Sequence, residues 1–514
     1  MQEVLSVDNM RDSDATTIAG GISGTELMMR AGRAIYDAVE NEYGWRSKVL
    51  IICGSGNNAG DGYVLAGLLN AAGIKCEILL VENKFSNDGF YYYRQCIDKR
   101  IKTLGYFNGN TEVILNSLPD YEIIVDCIYG TGFHGKVRDD VAKLIKAVNA
   151  VASHPTPNNV YVVSVDINSG LNGANGQGEC CIHSDLTVSV GNYQPGHFLG
   201  RAKDVMKKKI NCPIGIAPVR RPYYLFEKSD AAECFAEREN NSNKGTYGYI
   251  ALIGGSARYS GAIRLAFIAN AAMRSGAGVV SVAVPKGIAN VASAQVLEST
   301  IFPLADNDGE MVFDRGQFEE LIRYKKAIAI GMGIGRTSET AKAVEYLLNE
   351  YTGLLIIDAD GISDVSDIGI QCLKNTDAKV VLTPHPKEFS RLIGRSVDEI
   401  LENPIELARE FAWDNHCTVL LKGPTTIVTD GNEVILVDRG CAGMATAGSG
   451  DVLSGIAAAV CAANSGEIVR RVATAAYVNG LAGELAQESS GSISMIASDT
   501  VAHIAGAVKE ICGI

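Results

Sequence analysis

Residues 49–62 read VLIICGSGNNAGDG. The first five are an unbroken apolar run, the pattern of a parallel strand buried on both faces. Gly54-Ser-Gly-Asn-Asn-Ala-Gly-Asp-Gly62 then reads as a loop, and Tyr63 to Ala72 as a helix. Strand, glycine loop and helix in that order form the phosphate-binding unit of doubly wound sheets. The spacing is neither G-x-G-x-x-G nor that of a P-loop. Asn57, Asn58 and Asp61 instead add side-chain oxygens that a plain dinucleotide loop lacks.

Upstream, residues 6–19 predict an amphipathic helix. Residues 23–43 predict a second, capped by Ser23 or Thr25, with Leu27, Met28, Ala31, Ala34, Ile35 and Val39 as its apolar stripe. Downstream, 76–81, 123–128 and 160–165 predict further strands. The last two run into polar loops that begin at Asp126 and Asp166. In an open parallel sheet the site lies beyond the carboxyl ends of the strands. Asn58, Asp126, Asp166 and Ser169 all occupy such ends. Singly, each suits turn or cap chemistry; together they suit a site whose oxygen donors fit a hard cation rather than zinc.

The same logic recurs after residue 243. Strands are predicted at 249–254, 278–285, 327–330, 354–357, 380–383 and 418–421, alternating with helical segments, so a second α/β domain with a largely parallel sheet is expected. The richest stretch is Cys441-Ala-Gly-Met-Ala-Thr-Ala-Gly-Ser-Gly-Asp-Val-Leu-Ser-Gly455. Its glycines open an apolar helix whose free N–H groups and dipole suit a phosphate. Asp451, beside that anion, can take a proton from a hydroxyl, or can simply cap the helix. KGPTT at 422–426 offers amides and hydroxyls to a nucleotide. His385, held between two prolines, is stiffly aimed.

The boundary is expected near residues 215–228, where prolines punctuate an otherwise unpatterned stretch, giving domains 1–218 and 219–514. A net charge of −13 argues against nucleic acid or an anionic membrane surface as partner. No apolar stretch reaches the ~20 residues of a membrane span. Thirteen cysteines without paired spacing fit free thiols in a reducing cytosol. A cytoplasmic homo-oligomer is expected.

GSGNNAGDGYV, DCIYGTGFHGK and VDINSGLNGANG resemble the epimerase domain of the bifunctional NAD(P)H-hydrate repair enzymes. NKGTYG, GGSARYSGA, GAGVVSVAVP, IGMGIG, LTPHPKEFSRL, LKGPTT and GMATAGSGDVLSG resemble their ADP-dependent dehydratase domain, which has a ribokinase-like fold. The resemblance implies a Rossmann-like first domain and a ribokinase-like second. It implies that the first binds hydrated NADH or NADPH through Asn57, Asn58, Ala59, Gly60 and Asp61, through Gly130, Thr131, Gly132, Phe133, His134, Gly135 and Lys136, and through Asp166, also its acid/base. K+ would lie on Asn58, Asp126 and Ser169.

In the second domain Ala262, Gly333, His385, Pro386, Lys387, Glu388, Arg391 and Asp451 would hold the damaged nucleotide, with Asp451 as base. ADP, with Mg2+, would lie on Lys422, Gly423, Pro424, Thr425 and Thr426 and on Met444, Ala445, Thr446, Ala447, Gly448, Ser449 and Gly450. Departures from the usual motifs include Ala59, Asn168, Asn243, Met332, Lys387 and Ser449; losing a proline at 332 is expected to loosen that loop. The alternative is a ribokinase-like small-alcohol kinase fused to a non-catalytic nucleotide-binding module.

Overall fold

The computed structural model describes residues 1–46, 48–107, 109, 111–153, 159–259 and 261–514, with backbone alone at 259 and 261–267. It divides into two compact units, Glu3–Tyr223 and Tyr224–Ile514, the latter joined by Met1–Gln2. The division falls a few residues beyond the 218/219 joint expected from sequence, because Tyr223–Leu225 is a strand of the second sheet.

After a short N-terminal strand, β1 (Gln2–Val4), the first unit is built on β2 (Val49–Cys53), β3 (Cys76–Leu80), β4 (Lys102–Gly105), β5 (Ile123–Cys127), β6 (Tyr161–Val165), β7 (Ser184–Val190) and β8 (Met206–Cys212). They form an all-parallel sheet in the order β4-β3-β2-β5-β6-β7-β8. The order reverses between β2 and β5, and that switch point opens the crevice where doubly wound sheets bind ligands. Alternate residues of β2 face opposite layers. Ile51 and Cys53 pack with Leu27, Ile35, Val64 and Leu65 of the helices Gly24–Glu42 and Asn57–Ala71. Leu50 and Ile52 pack with Leu144, Ile145 and Val148 of the helix Asp139–Ser153.

Two local expectations differ. The helix expected from Tyr63 begins six residues earlier, at Asn57, with Gly56 as its cap. Asn57 to Gly62 are therefore its opening turns, and the loop proper is only Gly54 to Gly56. The helix Val7–Ala19 buries polar rather than apolar side chains: Asn9 and Ser13 bond to each other and to the backbone of Val219 and Arg220.

The second unit holds β9 (Tyr223–Leu225), β10 (Tyr249–Gly254), β11 (Val279–Pro285), β12 (Thr300–Leu304), a small hairpin of β13 (Asp306–Asn307) and β14 (Glu310–Met311), then β15 (Ala327–Met332), β16 (Leu354–Ile357), β17 (Lys379–Leu382), β18 (Thr418–Leu421), β19 (Thr426–Thr429) and β20 (Val434–Val437). The large sheet runs β1-β9-β20-β19-β18-β17-β16-β15-β10-β11-β12. Strands β12 to β18 of that order are mutually parallel, and β18-β19-β20 is an antiparallel meander. Its core is closed by alanine-rich helices, Ser449–Ala463 and Ile468–Ser490, whose Ile456, Ala458, Val472 and Val478 pack on Leu252, Val282, Ile356 and Leu420. Met332, expected to loosen a loop, ends β15 and is buried in this core. Among the described residues no helix is long and apolar enough to cross a membrane, and all thirteen cysteines are unpaired.

Candidate active sites

In the first unit a cavity of about 520 Å³ opens at the switch point. Asn57, Asn58 and Asp61 line it from the opening turns after β2, Gly130 to Phe133 from the loop after β5, and Asp166 from the end of β6. The structure does not bring every expected residue there. Ala59 and Gly60 are buried on the inner side of the helix, and His134, Gly135 and Lys136 lie beyond the lining. Gly60 has a packing reason instead: a Cβ there would lie 2.4 Å from the Met28 side chain.

Asp126 and Ser169 lie beneath the cavity, fully buried. Asp126 accepts hydrogen bonds from the Ser169 hydroxyl (2.5 Å), the Ser169 N–H (2.9 Å) and the Ser164 hydroxyl (3.0 Å). The Asn58 amide donates to the carbonyls of Tyr129 (2.9 Å) and Val165 (3.2 Å), which leaves its own carbonyl oxygen buried without a partner. Asn168 is tied down by four bonds, to Ile182, Ser184, Val205 and Thr187. That accounts for asparagine at a position inside the β6 loop.

Asp166 accepts a 2.7 Å hydrogen bond from the Thr131 N–H. Burial raises its pKa, and the Thr131 bonds act the other way. Asp61 is pushed well above the ordinary carboxylate range by burial and by the carboxylates of Asp166 and Asp14. Asp14, with Arg11 and Met10, comes from the first helix, to which the sequence assigned no site. Its only legible signal was a charged residue on a face that should have been apolar.

In the second unit the site residues gather at the carboxyl edge of the parallel strands. Asp358, directly after β16, is the centre. Its carboxylate is almost wholly buried (1% exposed), pairs with Lys422 Nζ at 2.9 Å, accepts the Ser454 hydroxyl at 2.7 Å and the Ala359 N–H at 2.9 Å. Glu388 stands 3.8 Å from the same ammonium. Burial lowers the Lys422 pKa, but Asp358, Glu388 and Asp451 more than offset it, so the amine is held charged above its ordinary value. Sequence reading missed Asp358, although its place at a strand end matched the rule applied to Asp126 and Asp166.

Gly448, at φ +95°, caps the helix Ser449–Ala463, so Ser449, Gly450 and Asp451 form its first turn. A helix start of this kind suits an anion, although the Thr446 N–H already donates to the Met444 carbonyl (2.8 Å) and the Ser449 N–H to the Thr446 carbonyl (3.4 Å). Among the described residues the Ser449 hydroxyl is buried with no partner, as are those of Ser256, after β10, and Thr383, after β17. A Cβ at Gly450 would lie 3.4 Å from Lys422 Nζ, an ordinary contact distance, so the helix start stands directly beside the ammonium. Met444 ends the turn Ala442–Met444, followed by Ala445, and the Gly443 N–H donates to Gln487 (2.9 Å).

Thr425 bonds Asp438 at 2.8 Å, Thr426 starts β19, and Gly423 and Pro424 are exposed between Lys422 and Thr425. His385 caps the helix Pro386–Ile393: its Nδ1 accepts the N–H groups of Lys387 (3.1 Å) and Glu388 (3.2 Å). Lys387 and Arg391 are exposed on that helix. Gly333, at φ +64°, turns the chain after β15. The side chain of Ala262 lies outside the described residues. Among those described, no group of three or more His, Cys, Asp or Glu side chains is arranged to hold a metal.

Fold and sites together define a protein of two α/β units, each with polar side chains gathered at the carboxyl ends of its parallel strands. Residues 24–196 match the family described as YjeF-related protein N-terminus, and residues 250–505 that described as NAD(P)H-hydrate dehydratase. The chain is 31% identical to a bifunctional NAD(P)H-hydrate repair enzyme of Hyperthermus butylicus, over 97% of this chain and 90% of that one. It is 30% identical to that of Archaeoglobus fulgidus over 98% of each. A solved structure, the Bacillus subtilis ADP/ATP-dependent NAD(P)H-hydrate dehydratase co-crystallised with ATP and Mg2+, matches 56% of this chain and 99% of its own at TM-score 0.48 and 25% identity. The chain belongs to the bifunctional NAD(P)H-hydrate repair enzymes. The relatives span both halves, which speaks against a small-alcohol kinase fused to a non-catalytic module.

Proposed function

We infer that the chain interconverts the R and S forms of hydrated NADH and NADPH in its first unit and dehydrates the S form in its second, using ADP and releasing AMP and phosphate. In the second unit Asp451 takes the proton of the hydrate's hydroxyl, and that oxygen attacks the terminal phosphorus of ADP. AMP departs. Phosphate then leaves the ring, pushed by the ring nitrogen, and loss of the neighbouring C–H proton restores the reduced nicotinamide. The observation that carries this reading is the meeting of Lys422, Asp358 and Asp451 at a glycine-opened helix start. Such a start can neutralise a migrating phosphoryl group.

Lys422 to Thr426 and Met444 to Gly450 hold ADP. Gly333, Ala262, His385 to Glu388 and Arg391 hold the hydrate. Mg2+ fits only as an ion carried in on the phosphates, since it usually takes one or two carboxylates plus substrate oxygens. In the first unit the cavity residues hold the hydrated nucleotide, and Asp166 moves the proton. The orphaned Asn58 oxygen, with those of Asp126 and Ser169, makes an oxygen donor set that fits K+. K+ there would fix the β5 and β6 loops against the opening of the Asn57–Ala71 helix. Thirteen unpaired thiols support a cytosolic location.

The test is recovery of reduced-nicotinamide absorbance from a mixture of hydrate isomers. With ADP, conversion should go to completion. Recovery that stops at the S fraction removes the epimerase assignment, and no recovery with ADP or ATP removes both.

A further inference from the structure

We propose that His197 is a positioning residue that holds Asp166 in its working conformation. The proposal rests on the reading of Asp166 as the epimerase acid/base. Asp166 has φ +66°, and the Ile167 N–H closes a three-residue turn around it onto the Val165 carbonyl at 2.8 Å. A γ-turn with positive φ is rare and strained, even for aspartate, which enters positive φ more readily than most residues. Strain of this sort persists only where the surroundings over-determine it.

Three contacts do so here. The Asp166 N–H donates to the Val188 carbonyl on β7 at 2.8 Å. The Thr131 N–H takes hold of the carboxylate at 2.7 Å. The Asp166 carbonyl lies 2.6 Å from His197 Nε2.

A carbonyl only accepts, so Nε2 carries the hydrogen. Nδ1 lies 3.1 Å from the Gln194 carbonyl, but the Nε2 contact is much the shorter, so Nε2 keeps the hydrogen and Nδ1 accepts the Gln194 N–H at 3.0 Å. The ring has no exposed surface, and burial pushes its pKa down to about 4, which keeps it neutral in this one tautomer. It cannot turn away. The short helix Pro195–His197 starts on a proline, Tyr193 stands edge-on to the ring at 5.3 Å, and Lys209 Nζ donates to the His197 carbonyl at 3.1 Å. A buried histidine bonded to two backbone groups is ordinary. What sets this one apart is that its partner is the strained residue that presents the carboxylate to the cavity. Without the Nε2 donor the turn relaxes toward extended backbone, and the carboxylate leaves Thr131.

The experiment uses the full chain with ADP withheld, starting from one pure hydrate isomer and following the isomer ratio. In His197→Gln the amide donor reaches about as far as Nε2; in His197→Asn it falls short. Releasing strain of the usual size should lower kcat of epimerisation in His197→Asn on the order of tenfold to a hundredfold, with KM unchanged. His197→Gln should recover most of the rate. ADP-dependent dehydration of the S form should stay at the parent level in both, which reports that the chain is folded. Parental kcat in His197→Asn, or equal loss in both variants, would overturn the proposal. Asp166→Asn is measured alongside: if it still epimerises, the reading of Asp166 itself fails, whatever His197 does.

Discussion

At position 166 one aspartate is asked to stay buried, stay strained and stay reactive, and its neighbours answer each demand. The same design recurs in the second unit. Ala359, at φ +50°, follows Asp358 directly, and its N–H is fixed by that carboxylate. Both sites therefore place a non-glycine left-handed residue at the carboxyl end of a parallel strand, where strain accompanies function. His197 adds a measurable consequence. Its folded pKa of about 4 lies below the ordinary 6.5, so the neutral ring contributes its stability in full above pH 6.5. That contribution is lost as pH falls through 4, and its size is a few kcal/mol. Denaturant unfolding followed from pH 7 to pH 4 should therefore show a shallower acid-side decline in His197→Gln than in the parent. Equal slopes would mean the ring is not held neutral. Lys422, Glu388 and Asp451 were legible because each stands in a motif with glycine or proline beside it. Asp358, Asp14 and His197 were not, since their partners lie 96, 47 and 31 residues away (Ser454, Asp61 and Asp166).

Among the elements, the helix after β2 best shows packing overriding propensity. Gly60 and Gly62 disfavour helix by about 1 kcal/mol each and so read as loop. Yet a Cβ at Gly62 would meet the sulfurs of Cys127 and Cys53 at 3.0 and 3.1 Å, so glycine is what lets the helix lie down on β2 and β5. Gly455, in the helix Ser449–Ala463, obeys the same rule against backbone. A Cβ there would lie 2.6 Å from the Ile268 carbonyl of the helix Gly261–Arg274. Alanine gains about 1 kcal/mol of helix propensity, but overpacking against backbone costs about 1–3 kcal/mol. Gly455→Ala should lower the Tm of the second unit and slow dehydration, with epimerisation unaffected. A raised Tm would show that the two helices can part without cost. The strands β4, β9, β19 and β20 lie outside the stretches read as strands from sequence, as do the longer β7 and β8.

At the scale of the molecule, two sheets of the same logic carry two separate chemistries, and the hydrate is the only thing that must pass between them. Asp166→Asn should lose epimerisation alone, and Asp451→Asn dehydration alone. An equimolar mixture of the two variants, given both isomers and ADP, should convert the mixture completely. A mixture that stalls at the S fraction would show that one chain must hold both functions. Strand runs, glycine loops and the order of the two halves were decided by local composition, because burial on both faces and helix starts each leave a short-range mark. Hence the α/β class, the family and the loops that line the first cavity could be read from the chain alone. The tertiary structure decided what depends on distant partners. It shows that Asn57 opens a helix, that His134 to Lys136 lie off the cavity lining, that Asp358 pairs with Lys422 and Ser454, and that His197 meets the Asp166 carbonyl. Those are consequences of where strands order themselves in a sheet, which no window of neighbouring residues records.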